Sequence, residues 1–211
     1  MAIRRVLTPE ILDHLDFRDP EAARSRADLR RINALMGNER WVRRTLTGKP
    51  LDRGIVEIGA GEGRLCRVLA RGFRGIPLLG MDRLPRPPGL PDDISWIRGD
   101  LLAALPAVRA GVLVGVMILH HFSDTELAEI GRCLGGIGGL CFCEPWRSEW
   151  SLALSRGMAP FTGSVTRHDM PASIRAGFVP GELPALLGLK GWKITESRDW
   201  RGALRFQAWR K

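Results

Sequence analysis

The chain has 211 residues, 45% of them hydrophobic, and a formal net charge of +9. This length and composition favour one globular domain with a single sizeable core and exclude a largely disordered chain. The longest apolar stretch, within residues 111–119, is about half of what a membrane-spanning helix needs, and the N-terminus lacks a signal-peptide core. We therefore expect a cytoplasmic protein without membrane insertion.

The positive charge is compatible with an anionic partner such as nucleic acid. However, the basic side chains are nearly all arginine and are scattered: the doublets lie at residues 4–5, 30–31 and 43–44, and no run reaches five. Tyrosine is absent, whereas Ala, Gly and Pro abound, which is the composition of a GC-rich genome. The charge therefore does not by itself predict a nucleic-acid partner, and we do not expect one.

The four cysteines contain no CxxC pair; they are Cys66, Cys133, Cys141 and Cys143. In the segment "CFC" the two thiols of an extended strand would point to the same face. This spacing favours small buried thiols in a reducing compartment over metal ligands. We therefore expect no metal site in this chain.

The first 48 residues have helical patterns and precede any strand. Asp19 and Pro20 form an N-cap and first-turn pair, and the apolar spacing that follows ends at Gly37. A second helix is predicted over "NERWVRRTLTG", ending at Gly48. Residues 1–48 are therefore predicted to form an N-terminal helical cap.

From Gly54 onward, short apolar runs alternate with helical segments. The runs are "GIVEIG", "IPLLGMD", "ISWIRGD", "GVLVGVMIL" and "GLCFCEP", and helices are predicted over residues 63–71 and 123–134. Such alternation predicts an α/β fold with a parallel sheet covered on both faces. Residues 49–145 would form this core.

The end of the chain follows a different pattern. The segment "PGELPALLG" predicts a short helix, and "WKITESRDW" and "ALRFQAWRK" alternate as an antiparallel hairpin would, so residues 191–211 form the predicted hairpin. The expected fold is thus one Rossmann-like, doubly wound domain of seven strands, mostly parallel, with an antiparallel C-terminal hairpin.

The stretch "VEIGAGEGRL" (56–65) places three alternating glycines directly after the first strand. A dinucleotide-binding loop would read GxGxxG, but its last glycine position is taken here by Arg64, and a phosphate loop ending in GK[ST] is absent. The spacing therefore favours a nucleotide-like ligand other than NAD.

The segment "EIGAGEG" resembles motif I of class I S-adenosylmethionine-dependent methyltransferases. Asp82 ends the second strand, Asp100 follows the third, and "ILHHFSD" after the fourth is similar to the "LHH" segment of ubiquinone-biosynthesis methyltransferases. The resemblance spans about residues 54–145. It implies S-adenosyl-L-methionine as the cofactor.

The resemblance also implies a role for each carboxylate. Glu57 would reach the amino group of the methionine part, Asp82 the ribose hydroxyls and Asp100 the adenine amino group, with the backbone N–H of Leu101 on the ring. Glycines without a Cβ let the backbone approach the ligand closely. The expected cofactor-binding residues are Glu57, Gly59, Ala60, Gly61, Gly63, Asp82, Arg83, Asp100, Leu101, Val116 and Met117.

The acceptor side offers histidines and one carboxylate. His120 and His121 follow strand four, Glu144 ends strand five, and His168 lies within residues 146–190, where the family often keeps an acceptor lid. A protonated acceptor needs a general base, which a histidine supplies near neutral pH. His168 is our first choice, because the adjacent pair has an alternative role in shaping the cavity or capping the next helix.

The expected activity is methyl transfer to an oxygen or carbon of a phenolic, quinone-like or polyketide small molecule. An RNA methyltransferase is one alternative, and a non-catalytic cofactor-binding partner in a biosynthetic assembly is another. The [DNS]PP[YFW] segment of amino-methylating nucleic-acid enzymes is replaced here by "LHHF". The acceptor, the methylated atom and the oligomeric state are left open.

Overall fold

A computed structural model describes residues 3–210 and contains one seven-stranded sheet with the strand order β3-β2-β1-β4-β5-β7-β6. The five strands from β3 to β5 in this order are parallel, and β7 pairs antiparallel with both β5 and β6. The strands are β1 (Ile55–Ile58), β2 (Leu78–Asp82), β3 (Ile94–Arg98), β4 (Ala110–Val116), β5 (Ile137–Pro145), β6 (Trp192–Arg198) and β7 (Ala203–Arg210). The predicted doubly wound fold with its C-terminal hairpin is confirmed.

Eight α-helices accompany the sheet within residues 3–210. They are α1 (Pro20–Met36), α2 (Asn38–Leu46), α3 (Arg64–Gly72), α4 (Leu101–Ala104), α5 (Asp124–Cys133), α6 (Glu149–Met158), α7 (Ser164–Ala176) and α8 (Glu182–Leu186). None of these helices is long and apolar enough to cross a membrane.

The limits of α1 agree with the sequence pattern. The Asp19 side chain accepts a hydrogen bond from the backbone N–H of Glu21, and Gly37 ends the helix with φ of 68°. Of all residues, glycine adopts this left-handed backbone conformation with the least strain. The capping pair and the terminal glycine therefore fix α1 through local chemistry alone.

Two apolar cores cover the two faces of the sheet. Along β5 the side chains alternate, so that Phe142 joins the core beneath α5 and α8, whereas Cys141 and Cys143 join the core beneath α2 and α3. The two thiols are buried on the same face, as the "CFC" spacing predicts. Burial raises the pKa of both thiols, since a thiolate would lose its hydration there.

The segment before α1, residues 3–18, which we call the strap, lies over the carboxyl edge of the sheet and contains a short 3₁₀ helix at Ile11–His14. Its backbone is tied to the C-terminal half of the chain: Arg147 Nε donates to Ile3 O, and Val6 N donates to Arg175 O. Further along, Ile11 N donates to a carboxylate oxygen of Asp169 on α7. The strap and α7 together cover the end of the sheet where parallel α/β folds bind ligands.

Helix α2 belongs to the core of the sheet rather than to this cover, because Leu46 is fully buried whereas Leu35 of α1 is 66% exposed. We therefore expect Leu46→Ala to lower the free energy of unfolding by about 2–5 kcal/mol through loss of burial and cavity formation. Leu35→Ala is the matched control and should change it by less than about 0.5 kcal/mol. Chemical denaturation of the two variants measures both values, and equal values would contradict the assignment of α2 to the core.

Candidate active site

The glycine loop after β1 is left-handed at Gly59, Gly61 and Gly63, with φ of 64°, 52° and 68°. A Cβ built on Gly59 would lie 2.5 Å from the Ile118 side chain, whereas one on Gly61 would meet nothing within 4 Å. Gly59 is therefore required by packing against the segment after β4. Gly61 is required by its backbone angle, and the space beside it is open to a ligand.

Asp82, at the end of β2, holds this loop. Its Oδ2 accepts a hydrogen bond of 2.7 Å from Gly61 N, and its Oδ1 accepts one of 2.8 Å from Leu84 N. Each carboxylate oxygen keeps a further lone pair for a ligand hydroxyl. The residue expected to bind a ribose thus also fixes the backbone of the glycine loop.

Glu57 on β1 is 4% exposed, and its Oε2 is buried without a hydrogen-bond partner among residues 3–210. Burial raises the pKa of Glu57 to about 8, a hydrogen bond with Cys66 offsetting only part of this effect. A buried carboxylate of this kind is costly to ionise unless a cation reaches it. Glu57 therefore suits a ligand that carries an ammonium group.

Asp100 lies at the carboxyl end of β3 and caps α4, accepting from Leu102 N and Ala103 N. Its Oδ2 is 2.9 Å from Arg83 Nη2, and this hydrogen bond lowers the pKa of Asp100. The Asp100 side chain is 44% exposed, so it remains accessible at the same edge as Asp82. Leu101, the other expected contact on this side, begins α4.

Ion pairs connect the glycine loop to the first two helices. Glu62 lies 2.7 Å from Arg30 Nη1 and 3.6 Å from Arg26 Nε, both on α1. Arg64, where α3 begins, lies 2.6 Å from Glu39 on α2. These contacts place α1 beside the loop.

The segment after β4 departs from the predicted strand. Met117 has φ of 55°, and its N–H donates to Cys143 O over 2.8 Å. This angle is uncommon for a residue with a side chain. It ends β4 at Val116 and turns Met117 into the cavity described next, whereas the sequence pattern had predicted a strand to residue 119.

A cavity of about 450 Å³ lies between the strap, α1, α6, α7 and the turn between β6 and β7. Apolar side chains make up most of its walls; among them are Leu12, Leu29, Ile32, Met36, Met117, Leu154, Met158, Met170 and Ile174. Trp200 also lines it, whereas Trp146 and Trp150 do not. The cavity therefore suits a largely apolar ligand.

The polar end of this cavity is built on Glu144, at the end of β5. This fully buried carboxylate accepts from Ile118 N (3.1 Å) and Leu119 N (2.9 Å), and its Oε2 is 2.9 Å from His120 Nδ1. Burial opposes the charge on His120, but hydrogen bonds to Glu10 and Glu144 outweigh it and raise the pKa of His120 to about 9. Glu144 thus acts beneath the histidines and does not line the cavity itself.

Two acidic residues of the strap complete the cluster, and sequence reasoning missed both. Glu10 Oε1 is 3.6 Å from His120 Nε2, and Asp13 Oδ2 is 3.4 Å from His121 Nδ1. The two imidazole rings are 4.3 Å apart between centroids. His120, His121, Glu10 and Asp13 all line the cavity.

The position of His168 differs from the sequence-based expectation. Its side chain is 54% exposed, its Nδ1 lies 2.9 Å from Asp169 Oδ1, and it does not line the cavity. The cause is helical geometry: α7 runs through residues 164–176 and presents Asp169, Met170 and Ser173 to the cavity instead. This placement does not support the choice of His168 as the general base.

Comparison with solved structures agrees with this architecture. The plantazolicin methyltransferase BamL, solved with a triazolic desmethylPZN analogue and SAH, matches with a TM-score of 0.72 and 13% identity over 92% of this chain and 93% of its own. The pyocyanin biosynthetic protein PhzM (TM-score 0.68, 18% identity) and human N-acetylserotonin methyltransferase in complex with SAM (0.63, 18%) match over 96% of this chain. This chain covers only 62% and 60% of those two proteins.

The chain has the fold of class I S-adenosylmethionine-dependent methyltransferases. Neither the protein-family models nor the curated proteins contain a match to its sequence. At 11–18% identity, the similarity to these structures establishes the fold of the chain but not its chemistry.

Proposed function

We propose that the protein is an S-adenosylmethionine-dependent methyltransferase that acts on a small molecule bound in the apolar cavity. The observation that carries this proposal is Glu57, which lies on the strand that enters the glycine loop and whose buried Oε2 has no hydrogen-bond partner among residues 3–210. In a fold of this class an ammonium group at that point would supply the missing partner. The open space at Gly61 gives the ligand room to approach the backbone.

The expected cofactor contacts fit this edge of the sheet. Glu57 would bind the amino group, Asp82 the ribose hydroxyls, Asp100 the adenine amino group and Leu101 N the ring. Arg83 holds Asp100 ionised and in place. The remaining expected cofactor contacts are Gly59, Ala60, Gly61, Gly63, Val116 and Met117.

The bound cofactor would supply an electrophilic methyl group on a sulfonium. The protein then has to align a nucleophilic atom of the acceptor with that methyl group and exclude water. The strap, α1 and α7 would exclude water, because they cover the cavity with apolar side chains. Met117 lines the cavity at the end of β4, so the acceptor atom is expected beside it.

The cavity favours a small acceptor over RNA. Its walls are mostly apolar, and the basic side chains of the loop region, Arg30 and Arg64, are engaged by Glu62 and Glu39. A phenolic, quinone-like or polyketide compound matches such walls and offers an oxygen or carbon nucleophile. His121, whose side chain is 30% exposed and lines the cavity, is the residue that we propose activates this nucleophile.

The cofactor assignment predicts proton release. Since burial raises the pKa of Glu57 to about 8, this carboxyl is mostly protonated at pH 7 before binding. An ammonium group beside it favours the ionised form, so S-adenosylhomocysteine should release up to about one proton on binding at pH 7. Calorimetry in two buffers of different ionisation enthalpy measures this number.

Glu57→Gln should bind with weaker affinity and without proton release. Glu62→Gln, which alters an exposed carboxylate of the same loop, is the matched control and should leave the proton count unchanged. Binding that releases no proton in the parent protein would contradict the role of Glu57.

The acceptor assignment predicts opposite results for two histidines. With methyl-labelled S-adenosylmethionine and a crude metabolite extract, label should enter the small-molecule fraction and not RNA. His121→Ala should lower this transfer by about 10²- to 10⁴-fold, the usual size of a proton-transfer contribution. His168→Ala should retain it, because His168 is exposed outside the cavity. Label in RNA, or loss of transfer in His168→Ala alone, would contradict the proposal.

A further inference from the structure

The cluster at the polar end of the cavity has the composition of a metal site. Glu10, His120 and His121 each offer one ligand atom, and these three atoms lie within 4.8 Å of one another. The sequence shows no metal-binding motif here, because Glu10 lies about 110 residues before the histidine pair. Only the strap, folded over the end of β4, brings the three together.

The surroundings orient these side chains as in many metal sites. Metal-ligating histidines usually donate the N–H of their second ring nitrogen to a carboxylate. Glu144 Oε2, 2.9 Å from His120 Nδ1, directs the other nitrogen of that ring toward Glu10, whose Oε1 is 3.6 Å from Nε2. Glu144 is itself fixed by Ile118 N and Leu119 N, so the ring cannot rotate freely.

The other two members are supported in the same way. Ser173 Oγ on α7 donates to Glu10 Oε1 and holds that carboxylate against the cavity wall. Asp13 Oδ2 lies 3.4 Å from His121 Nδ1 and places a further carboxylate at that ring. The cluster thus combines three carboxylates, Glu10, Asp13 and Glu144, with two histidines.

We propose that Glu10, His120 and His121 bind a divalent transition-metal ion such as Zn²⁺ or Mn²⁺ at the wall of the acceptor cavity. Two imidazoles and one carboxylate are a recurrent set for such ions, and sites that act on substrates leave one or more positions open. All three residues line the cavity, so the open positions face the space for the acceptor.

The role of this ion rests on the proposed function, although its binding does not. An acceptor hydroxyl coordinated to the ion would have a lowered pKa. Its O–H bond would break with the proton passing to the Asp13 carboxylate and then to water. The oxygen, keeping the electron pair, would then form the new bond to the methyl carbon, while the carbon–sulfur bond breaks and its pair remains on sulfur. His121 would thus activate the acceptor as a ligand, and the acceptor class is an apolar compound with a phenolic or enolic oxygen.

Titration of the chelator-treated full chain with Co²⁺ tests the site. Calorimetry should show one equivalent bound, and the visible spectrum should show d–d bands of nitrogen and oxygen coordination. Glu10→Gln and His121→Ala should each weaken binding at least 10-fold. His168→Ala removes a histidine that is also beside a carboxylate but lies outside the cavity, so it should bind like the parent.

The absence of stoichiometric binding, or binding that the two cluster variants leave unchanged, would overturn the proposal. The affinity for S-adenosylhomocysteine, measured on the same samples, separates this outcome from failure of the proposed function. Intact cofactor binding without Co²⁺ binding would overturn the proposed metal site and leave the proposed function standing. Co²⁺ binding without cofactor binding would support the metal site and contradict the proposed methyl transfer.

Discussion

The Glu144 carboxylate is the contact on which the rest of the site depends. It lies fully buried at the end of β5 and accepts the backbone N–H groups of Ile118 and Leu119, which follow β4. The turn held in this way pushes the Ile118 side chain against Gly59 and aims Met117 into the cavity. One buried acid therefore links the position of the glycine loop to the position of the acceptor cavity. Removal of this carboxyl group, as in Glu144→Ala, would leave the backbone N–H groups of Ile118, Leu119 and His120 without their acceptor in the core, which is costly.

The same carboxylate extends its influence to the cover of the site. Through His120 it reaches Glu10 of the strap, and the strap is held in turn by Asp169 and Ser173 of α7. At the glycine loop, Glu62 pairs with Arg26 and Arg30 of α1. Polar contacts thus attach the cover both to the glycine loop and to the polar end of the cavity, while most of the cavity wall is apolar. The Glu62 ion pairs are partly exposed and can break and reform in water at modest cost, whereas the contacts of His120 and Asp169 are buried and hold the strap more firmly.

Local chemistry explains which parts of the molecule could be predicted from sequence. The Asp19–Pro20 pair and Gly37 define α1, and Ser123 with Glu126 forms a capping box at α5. Strand positions followed from apolar runs because the sheet is buried on both faces. The acidic residues after β2 and β3 could be found because parallel strands end at one edge, where Asp82 and Asp100 do lie.

The remaining features depend on tertiary contacts that no short pattern encodes. Glu10 and Asp13 reach the histidines only because the strap folds across the sheet. His168 was placed in the site by its position along the chain, but α7 turns it to solvent. The end of β4 was misplaced because the left-handed Met117 has a side chain and carries no glycine signal.

The most direct test of the account is calorimetric binding of S-adenosylhomocysteine and NAD to the parent chain and to Gly61→Val. The account predicts that the parent binds S-adenosylhomocysteine with one site per chain and does not bind NAD. Gly61→Val should lose most of this affinity, since a branched side chain would fill the open space beside the loop. Tight NAD binding by the parent, or undiminished S-adenosylhomocysteine binding by Gly61→Val, would contradict it.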